Sequence, residues 1–474
     1  MYDVTIIGAG VSSIFMAYSL AKSNKKVLIL DKGKPLEHRN CPLDQGQTCN
    51  CYTCDKYFGF GGLGKSEGKF NYTNGFGGEL EQKVGKERFM QLMTEVDEIL
   101  CQFGGGSVSK YSTENLNLTK RAEACGLQML STEVRHLGTA LSSNIFQQLY
   151  EFLLTKINIK FQIDVQHIMK QNDHFKIETN QGSIHSKQLV FATGRSGADW
   201  LKEMCTSLHI SQEQTRVDLG IRVEMKEHQL RSILKDTFET KLSYQGENFT
   251  ATTYCMNPKG RIIRKYEEGL VMPDGQNFRE RATDTSNLNF TLFIPCYFPT
   301  LKEANVYASS IIKGINQGRD RIVLQRLEDL IKKQPTAENS MKHNRIQPTL
   351  YGDYGDLNKE IPPLYIEGLK QFLLRLEQFI QEPIDQDTLL YGIDGKFYAP
   401  TIKINNHFET SISGLFLVGD CSGVTHSLSQ AAASGLYVGK YLSDKIIEVD
   451  LLRFSEINKI KTREVQTKIK ETEK

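Results

Sequence analysis

Nowhere does the chain hold an apolar run approaching the ~20 residues that a membrane-spanning helix needs. An excess of one charge is equally lacking. Its 58 Lys and Arg face 56 Asp and Glu, a formal net charge of +2, which leaves no global field for nucleic acid or an anionic membrane. Ten cysteines in 474 residues are not the disulfide framework of a small secreted protein. The opening MYDVTIIGAG has neither a basic n-region nor a cleavage site. These absences set the expectation of a cytoplasmic protein with mostly reduced thiols, acting without membrane or nucleic acid. No Ser-His-Asp order and no H-E-x-x-H occurs, so hydrolytic chemistry has no support. What is present is 39% hydrophobic residues, ample for the cores of one to three domains.

The most informative segment is VTIIGAGVSSIFMAYSLAKSNKKVLILDKG, residues 4–33. Residues 4–7 are a β-branched apolar run, as in a buried parallel strand. Gly8 and Gly10 make a tight turn without Cβ atoms, residues 11–22 have helical apolar spacing, and residues 26–30 form a second buried strand closed by Asp31. Strand, glycine turn, helix, strand and acid compose the dinucleotide-binding unit, in which the helix N-terminus receives the pyrophosphate and the acid takes ribose hydroxyls. Ser12, Ser13 and Lys32 belong to the same candidate site. Ser13 stands where a third glycine is usual; the position needs a small residue for close helix–strand packing, and serine is small.

Near the other end, LFLVGDCSGVTHSLSQAAASG reads as a buried strand at residues 415–418 that ends in Gly419-Asp420 and leads into a small-residue helix at about 430–442. Together with GAGVSSIFMA, CPLDQGQTCNCYTCDKYFGFGGLGKSEGKFN, RHLGTALSSNIFQQL, VFATGRSGADW, TYCMNPKGRI and YAPTIKIN, this resembles a bacterial family of FAD-dependent dehydrogenases. That family lies within the glutathione-reductase-type, two-dinucleotide-binding flavoprotein superfamily. The resemblance spans nearly the whole chain and is strongest in its cofactor parts. It implies an α/β fold with FAD as cofactor, in which Asp420 binds the ribityl chain. The helix after it, from about Gln430, points its N-terminus at the flavin N1–C2=O edge, where a helix dipole stabilises the reduced ring. It also implies FAD contacts from Ala192, Thr193 and Gly194 and an adenine contact from the backbone of Val165. It supplies no substrate, so function has to be argued from the site.

The expected architecture is a Rossmann-type FAD-binding domain, a parallel sheet with helices and a β-excursion, formed by residues 1–216 and 390–443. An inserted α+β substrate or cap domain covers 217–389, and 444–474 is a polar, Lys-rich tail. Within the insertion, residues 307–334 and 362–381 have helical apolar spacing.

Cys41, Cys49, Cys51 and Cys54 admit three readings: a metal cage, a redox pair, or a loop of small residues beside the cofactor. Cys49-x-Cys51 is tight for a shared tetrahedral ion, and the cluster lacks the C-x4-C spacing of the disulfide reductases. The expectation is therefore a structural loop and no metal. Gly59, Gly61 and Gly64 spell G-x-G-x-x-G without a preceding strand. The loop reads as a cofactor wall, with Gly61, Gly62, Lys65 and Ser66 near the phosphates or the flavin. His426 and Cys255 are the candidate catalytic groups; Tyr391 and Lys396 are candidate cavity residues, and Arg222 and Arg261 candidate partners for an acidic substrate. The functional expectation is an FAD-dependent oxidoreductase that moves a hydride between flavin N5 and a small organic substrate, with an external electron donor or acceptor. An FAD-containing RNA-modifying protein and a thiol-redox flavoprotein using the cysteine cluster are the alternatives.

Overall fold

The computed structural model describes residues 1–40, 53–65, 68–75, 77–235, 237, 240–267, 269–276, 285–398 and 401–444, excluding the Cys255 side chain. Its contacts divide the chain into two compact units. One comprises Met1–Ser109, Arg135–Ser211 and the chain from Ile402 on; the other comprises Lys110–Val134 and Gln212–Thr401.

The first unit is built on a seven-stranded sheet. Strand β1 (Tyr2–Ile7) leads through the glycine turn into α1 (Val11–Leu20) and back to β2 (Val27–Leu30). Helix α2 (Gly138–Leu154) precedes β3 (Asn158–Lys160). Then come three consecutive strands, β4 (Val165–Lys170), β5 (Phe175–Thr179) and β6 (Gly182–Phe191), and, after the excursion into the other unit, β7 (Leu415–Leu417). Helix α3 covers residues 428–444. Strands β3, β2, β1, β6 and β7 pair in parallel, in that order.

The ten-residue β6 does double duty. Residues 182–186 form the antiparallel meander with β5, and residues 189–191 pair with β7. The chain runs from β1 toward β2 and β3 on one side and returns on the other side as β6. The carboxyl ends of β1 and β6 are therefore a topological switch point, where open α/β sheets bind ligands. The sheet is apolar on both faces, as a parallel sheet covered by helices requires: β2 is buried throughout, and α1 is buried at nine of its ten positions.

Helices α1 and α3 cross at glycines. A Cβ on Gly435 would lie 2.0 Å from the Ser12 carbonyl oxygen, and one on Gly439 would lie 2.8 Å from that of Met16. Backbone touches backbone here, so the two helices approach more closely than side chains would permit.

The second unit carries an eight-stranded sheet, antiparallel except where Val323–Arg326 pairs with Asp353–Tyr354. Alternation along Thr215–Lys226 separates its faces. Val217, Leu219, Ile221 and Val223 belong to a core with helices Leu301–Asn316 and Pro363–Ile380. Asp218, Arg222 and Glu224, also buried, form polar networks on the opposite face. Among the described residues, no helix is long and apolar enough to cross a membrane.

Three expectations about organisation need correction. The return to the first unit falls at Ile402, not at 390, because Leu389–Phe397 is an interior strand of the second sheet, paired with Thr215–Lys226 and Val323–Arg326. Residues 110–134 belong with the second unit, since Leu127–Leu130 adds to its sheet beside Lys241–Gln245. The helix expected over 307–334 stops at Asn316, where Gln317 takes a left-handed conformation (φ 51°), and the β-branched Val323 starts a strand.

Gly435→Ala should destabilise the chain by about 1–3 kcal/mol, the cost of overpacking a close contact. Gly314→Ala is the control: it lies in the helix Leu301–Asn316, and its added Cβ meets nothing within 4 Å, so stability should hold or rise. Denaturant unfolding of both variants reads the difference.

Candidate functional site

The first glycine turn is built by backbone demands. Gly8 has φ +103°, and a Cβ there would lie 2.4 Å from the Ala192 carbonyl oxygen, so the turn after β1 presses against the end of β6. The Ser13 hydroxyl donates to the Gly8 carbonyl, which gives the serine at the third-glycine position a use of its own. Ile14 N–H donates to Gly10 at 3.1 Å as α1 begins, leaving the earlier N–H groups of the helix without intrahelical acceptors. A Cβ on Gly10 would meet nothing within 4 Å, so the space over the helix mouth is open.

Asp31 closes β2 and ties the turn to a distant loop. Its carboxylate accepts from the N–H groups of Ala9 (2.6 Å), Gly33 (2.6 Å) and Gly59 (2.9 Å). Burial pushes its carboxyl above the ordinary range, opposed by these three donors and by Arg39. Arg39 is 1% exposed, and its guanidinium donates to the carbonyls of Asp55, Lys56, Phe60 and Gly62. Burial lowers its basicity, while Asp31 and Asp55 counter that effect. Together Asp31 and Arg39 fasten the second glycine loop over the first. Gly61 N–H donates to Ala9 at 2.9 Å, and a Cβ on Gly62 would lie 3.2 Å from the Gly10 Cα.

At the other end, Asp420 follows β7. Its carboxylate accepts from Arg195 Nε at 2.8 Å and from the Thr425 hydroxyl at 3.0 Å. Arg195, in the loop after β6, also donates from Nη2 to the His426 carbonyl at 2.9 Å. Ser427 caps α3, its hydroxyl accepting from Gln430 N–H at 3.3 Å. Between these ends lies one cavity of about 670 Å³, within the range of pockets that bury most of a ligand. The mouths of α1 and α3 both open into it, with Asp31 and Lys32 toward one end and Asp420 and His426 toward the other.

Gly8, Gly10, Ser12, Asp31, Lys32, Gly62, Val165, Ala192, Thr193, Gly194, Asp420 and His426 all line this cavity. Ser13, Gly61, Lys65, Gly419 and Gln430 stand outside its lining. Lys65 Nζ donates to the Arg39 carbonyl at 2.5 Å. The Gln430 amide holds the backbone of Gly78 and Leu80, and Gly419 N–H donates to the Ser434 hydroxyl. The Val165 carbonyl accepts from Trp200 Nε1 at 2.7 Å, which brings the indole to the cavity wall. Ser66, Cys41, Cys49 and Cys51 lie outside the described residues, and Cys54 is half-buried.

Cys255 lies on the strand Thr250–Pro258 of the second unit. Cys421, next to Asp420, is fully buried; its thiol donates to the carbonyls of Phe191 and Val418, and burial pushes its pKa up to about 11. Such a thiol is held protonated and is no nucleophile. Arg222 donates to Thr291 and Asn289 inside the second unit, and Tyr391 donates to Glu224 at 2.6 Å. Lys396 lies over the Tyr254 ring, 3.6 Å from its centroid. These three serve the second unit's own polar face, and none lines the cavity. Arg261 lines a separate depression of about 340 Å³ with Lys226. Sequence reasoning missed Arg39, Arg195 and Trp200. Arg195 and Trp200 were in sight within VFATGRSGADW, but their partners lie far away in sequence.

Residues 6–36 match the NAD(P)-binding Rossmann-like domain family. Over 479 aligned positions the chain is 21% identical to an uncharacterized protein of Clostridium beijerinckii (strain ATCC 51743 / NCIMB 8052), covering 93% of this chain and 80% of that one. Among solved structures it is similar to glycine oxidase from Bacillus cereus ATCC 14579, at 12% identity and a TM-score of 0.36, covering 94% of this chain and 96% of that one. It is also similar to the halogenase PltM L111Y mutant in complex with FAD, at 11% identity and a TM-score of 0.36, covering 94% and 69%. The chain carries a Rossmann-like dinucleotide-binding sheet and a separate, largely antiparallel sheet.

Arg39→Met should cost at least about 1–3 kcal/mol, the penalty of leaving a buried acceptor unsatisfied, and should release the loop over the cavity. Limited proteolysis should then cut within residues 53–65. An unchanged cleavage pattern would mean that the loop is held by something other than the guanidinium.

Proposed function

We propose that this chain is an FAD-dependent oxidoreductase acting on a small organic substrate. The observation that carries the reading is a single cavity at the switch point of a parallel sheet, with a helix mouth and a carboxylate at each end. A mononucleotide would use one end; a dinucleotide uses both. The open space above Gly10 and the close approach of backbone at Gly8 fit a pyrophosphate at the mouth of α1. Asp31, whose Oδ2 keeps one lone pair beyond those its three N–H donors use, would take a ribose hydroxyl. Trp200 and Val165 would flank the adenine, and Asp420 would take the ribityl hydroxyls.

When bound, the flavin supplies two-electron chemistry, taking or giving a hydride at N5. The protein's contribution is positional and electrostatic. The mouth of α3, capped by Ser427, places a partial positive charge where the pyrimidine edge would lie. His426, whose backbone is pinned by its N–H to Gly77 at 2.6 Å, stands at the same end, where its imidazole could hold or deliver a proton. We assign the second unit the substrate-shaping role and expect an external electron donor or acceptor.

The purified chain should be yellow and release intact FAD on denaturation. Gly8→Val should abolish uptake, since its side chain would strike the Ala192 carbonyl. Asp420→Ala should weaken uptake by roughly 1.5–3 kcal/mol, the worth of a hydrogen bond to a charged group. Wild-type affinity in both variants would show the site to be elsewhere.

A second expectation concerns the electron donor. The second unit's sheet is antiparallel in all but one strand pair among the described residues, unlike a parallel nicotinamide-binding unit with its own glycine turn. Under anaerobic conditions, micromolar NADH or NADPH should bleach the flavin slowly and dithionite at once. Fast bleaching that saturates at low micromolar nucleotide would require a nicotinamide site.

A further inference from the structure

We infer that Arg195 is a positioning residue for the cofactor. It acts through Asp420, which it holds oriented and charged for the ribityl hydroxyls, and it pins the loop that leads into α3. This inference rests on the FAD reading above and extends it to a residue that was not among the expected cofactor contacts but grips one of them.

The argument starts from the side chain's two bonds. One guanidinium reaches from the loop after β6 to two places on the segment between β7 and α3: the Asp420 carboxylate through Nε (2.8 Å) and the His426 carbonyl through Nη2 (2.9 Å). Those targets lie at opposite ends of that segment, just after β7 and just before Ser427 caps α3. A fork of fixed planar geometry that grips both ends sets the distance between the carboxylate and the helix mouth. A lysine would supply the charge without the fork.

The arginine is half-exposed and lines the cavity, whereas the carboxylate it grips is nearly buried. An exposed surface pair would contribute little, but this pair is lopsided: one partner's charge is costly without the other. Burial raises the Asp420 carboxyl above the ordinary range, and Arg195 and the Thr425 hydroxyl pull it back. Among the described residues, Arg195 is the cation set against it. Its other ionisable neighbours are the Cys421 thiol, held protonated by burial, and His426 on the same segment. The hydroxyls of Ser12 and Ser434 lie around Gly419 and carry no charge. Without the arginine, only the Thr425 hydroxyl would oppose burial, and protonation would reach Asp420 at higher pH. A protonated acid accepts hydroxyl donors more weakly than a carboxylate does.

The sign follows directly. In the wild type, FAD affinity should hold at neutral pH and weaken toward acid pH as the Asp420 carboxyl, raised by burial, protonates. In R195Q it should be roughly tenfold weaker at neutral pH, the scale of one charge-assisted bond, and its acid-side fall should begin at higher pH than in the wild type. R195K should recover part of the neutral-pH loss and bring the acid-side fall most of the way back to the wild-type pH. D420N should bind weakly at every pH, and adding R195Q to it should cost less than R195Q costs alone, because only the bond to the His426 carbonyl is then left to lose.

The experiment is titration of each apoprotein with FAD, followed by flavin fluorescence, from about pH 4, at the ordinary Asp range, to about pH 8, above that of His. Repeating the R195Q series in an H426Q background assigns the pH dependence: it should persist there and vanish with D420N. An R195Q profile parallel to the wild type, or an R195Q loss undiminished in the D420N background, would overturn the inference. If R195Q does not fold, R195K and R195K/D420N carry the same test through their coupling. Wild-type apoprotein that binds no FAD at any pH would instead overturn the FAD reading beneath it, a different and separately visible failure.

Discussion

Helices α1 and α3 cross with backbone against backbone, and the rest of the site depends on that contact. Gly435 and Gly439 lie one turn apart on α3, so both face the same neighbour. Any side chain there would push the helices apart. Their closeness lets two helix N-termini, widely separated in the chain, open into one cavity. Each mouth offers unpaired N–H groups and a partial positive charge. An elongated ligand with negative charge at both its middle and its far end meets both. The parallel sheet beneath supplies the platform, and its switch point supplies the gap.

Charge buried beside the cavity acts as fastening. Asp31 and Arg39 together take three N–H donors and four carbonyl acceptors from the backbone of residues 9–62. Neither forms a direct ion pair with the other. Each neutralises polar backbone that the stacked glycine loops would leave buried, a cost that glycine-rich segments cannot meet with side chains of their own. At the opposite end Asp420 and Arg195 pair directly with each other, and the arginine's remaining donor takes the His426 carbonyl.

Much of this was legible in the sequence where it depended on local order. The β1–α1–β2 unit, Gly8 and Gly10, the β-excursion, Asp420 after its strand and a following helix could be read from short segments, since periodicity and turn chemistry act over a few residues. What could not be read depends on partners brought together by the fold. Asp31 was expected to serve ribose; its grip on Gly59 requires a loop 28 residues away. Gln430 looked like a flavin contact from its place at the helix start, yet its amide serves Gly78, 352 residues distant. Leu127–Leu130 gave no sign that it would join the second sheet, because an edge strand's partner is set by tertiary packing.

The central claim is that one cavity reads both halves of a dinucleotide. Calorimetric titration of the apoprotein with FAD, ADP and FMN tests it most directly. The account predicts that FAD binds far more tightly than either fragment, because only FAD engages both helix mouths and both carboxylates at once. ADP binding as tightly as FAD would mean that the α3 end takes no part, and FMN matching FAD would mean the same of the α1 end. Either result would contradict the account.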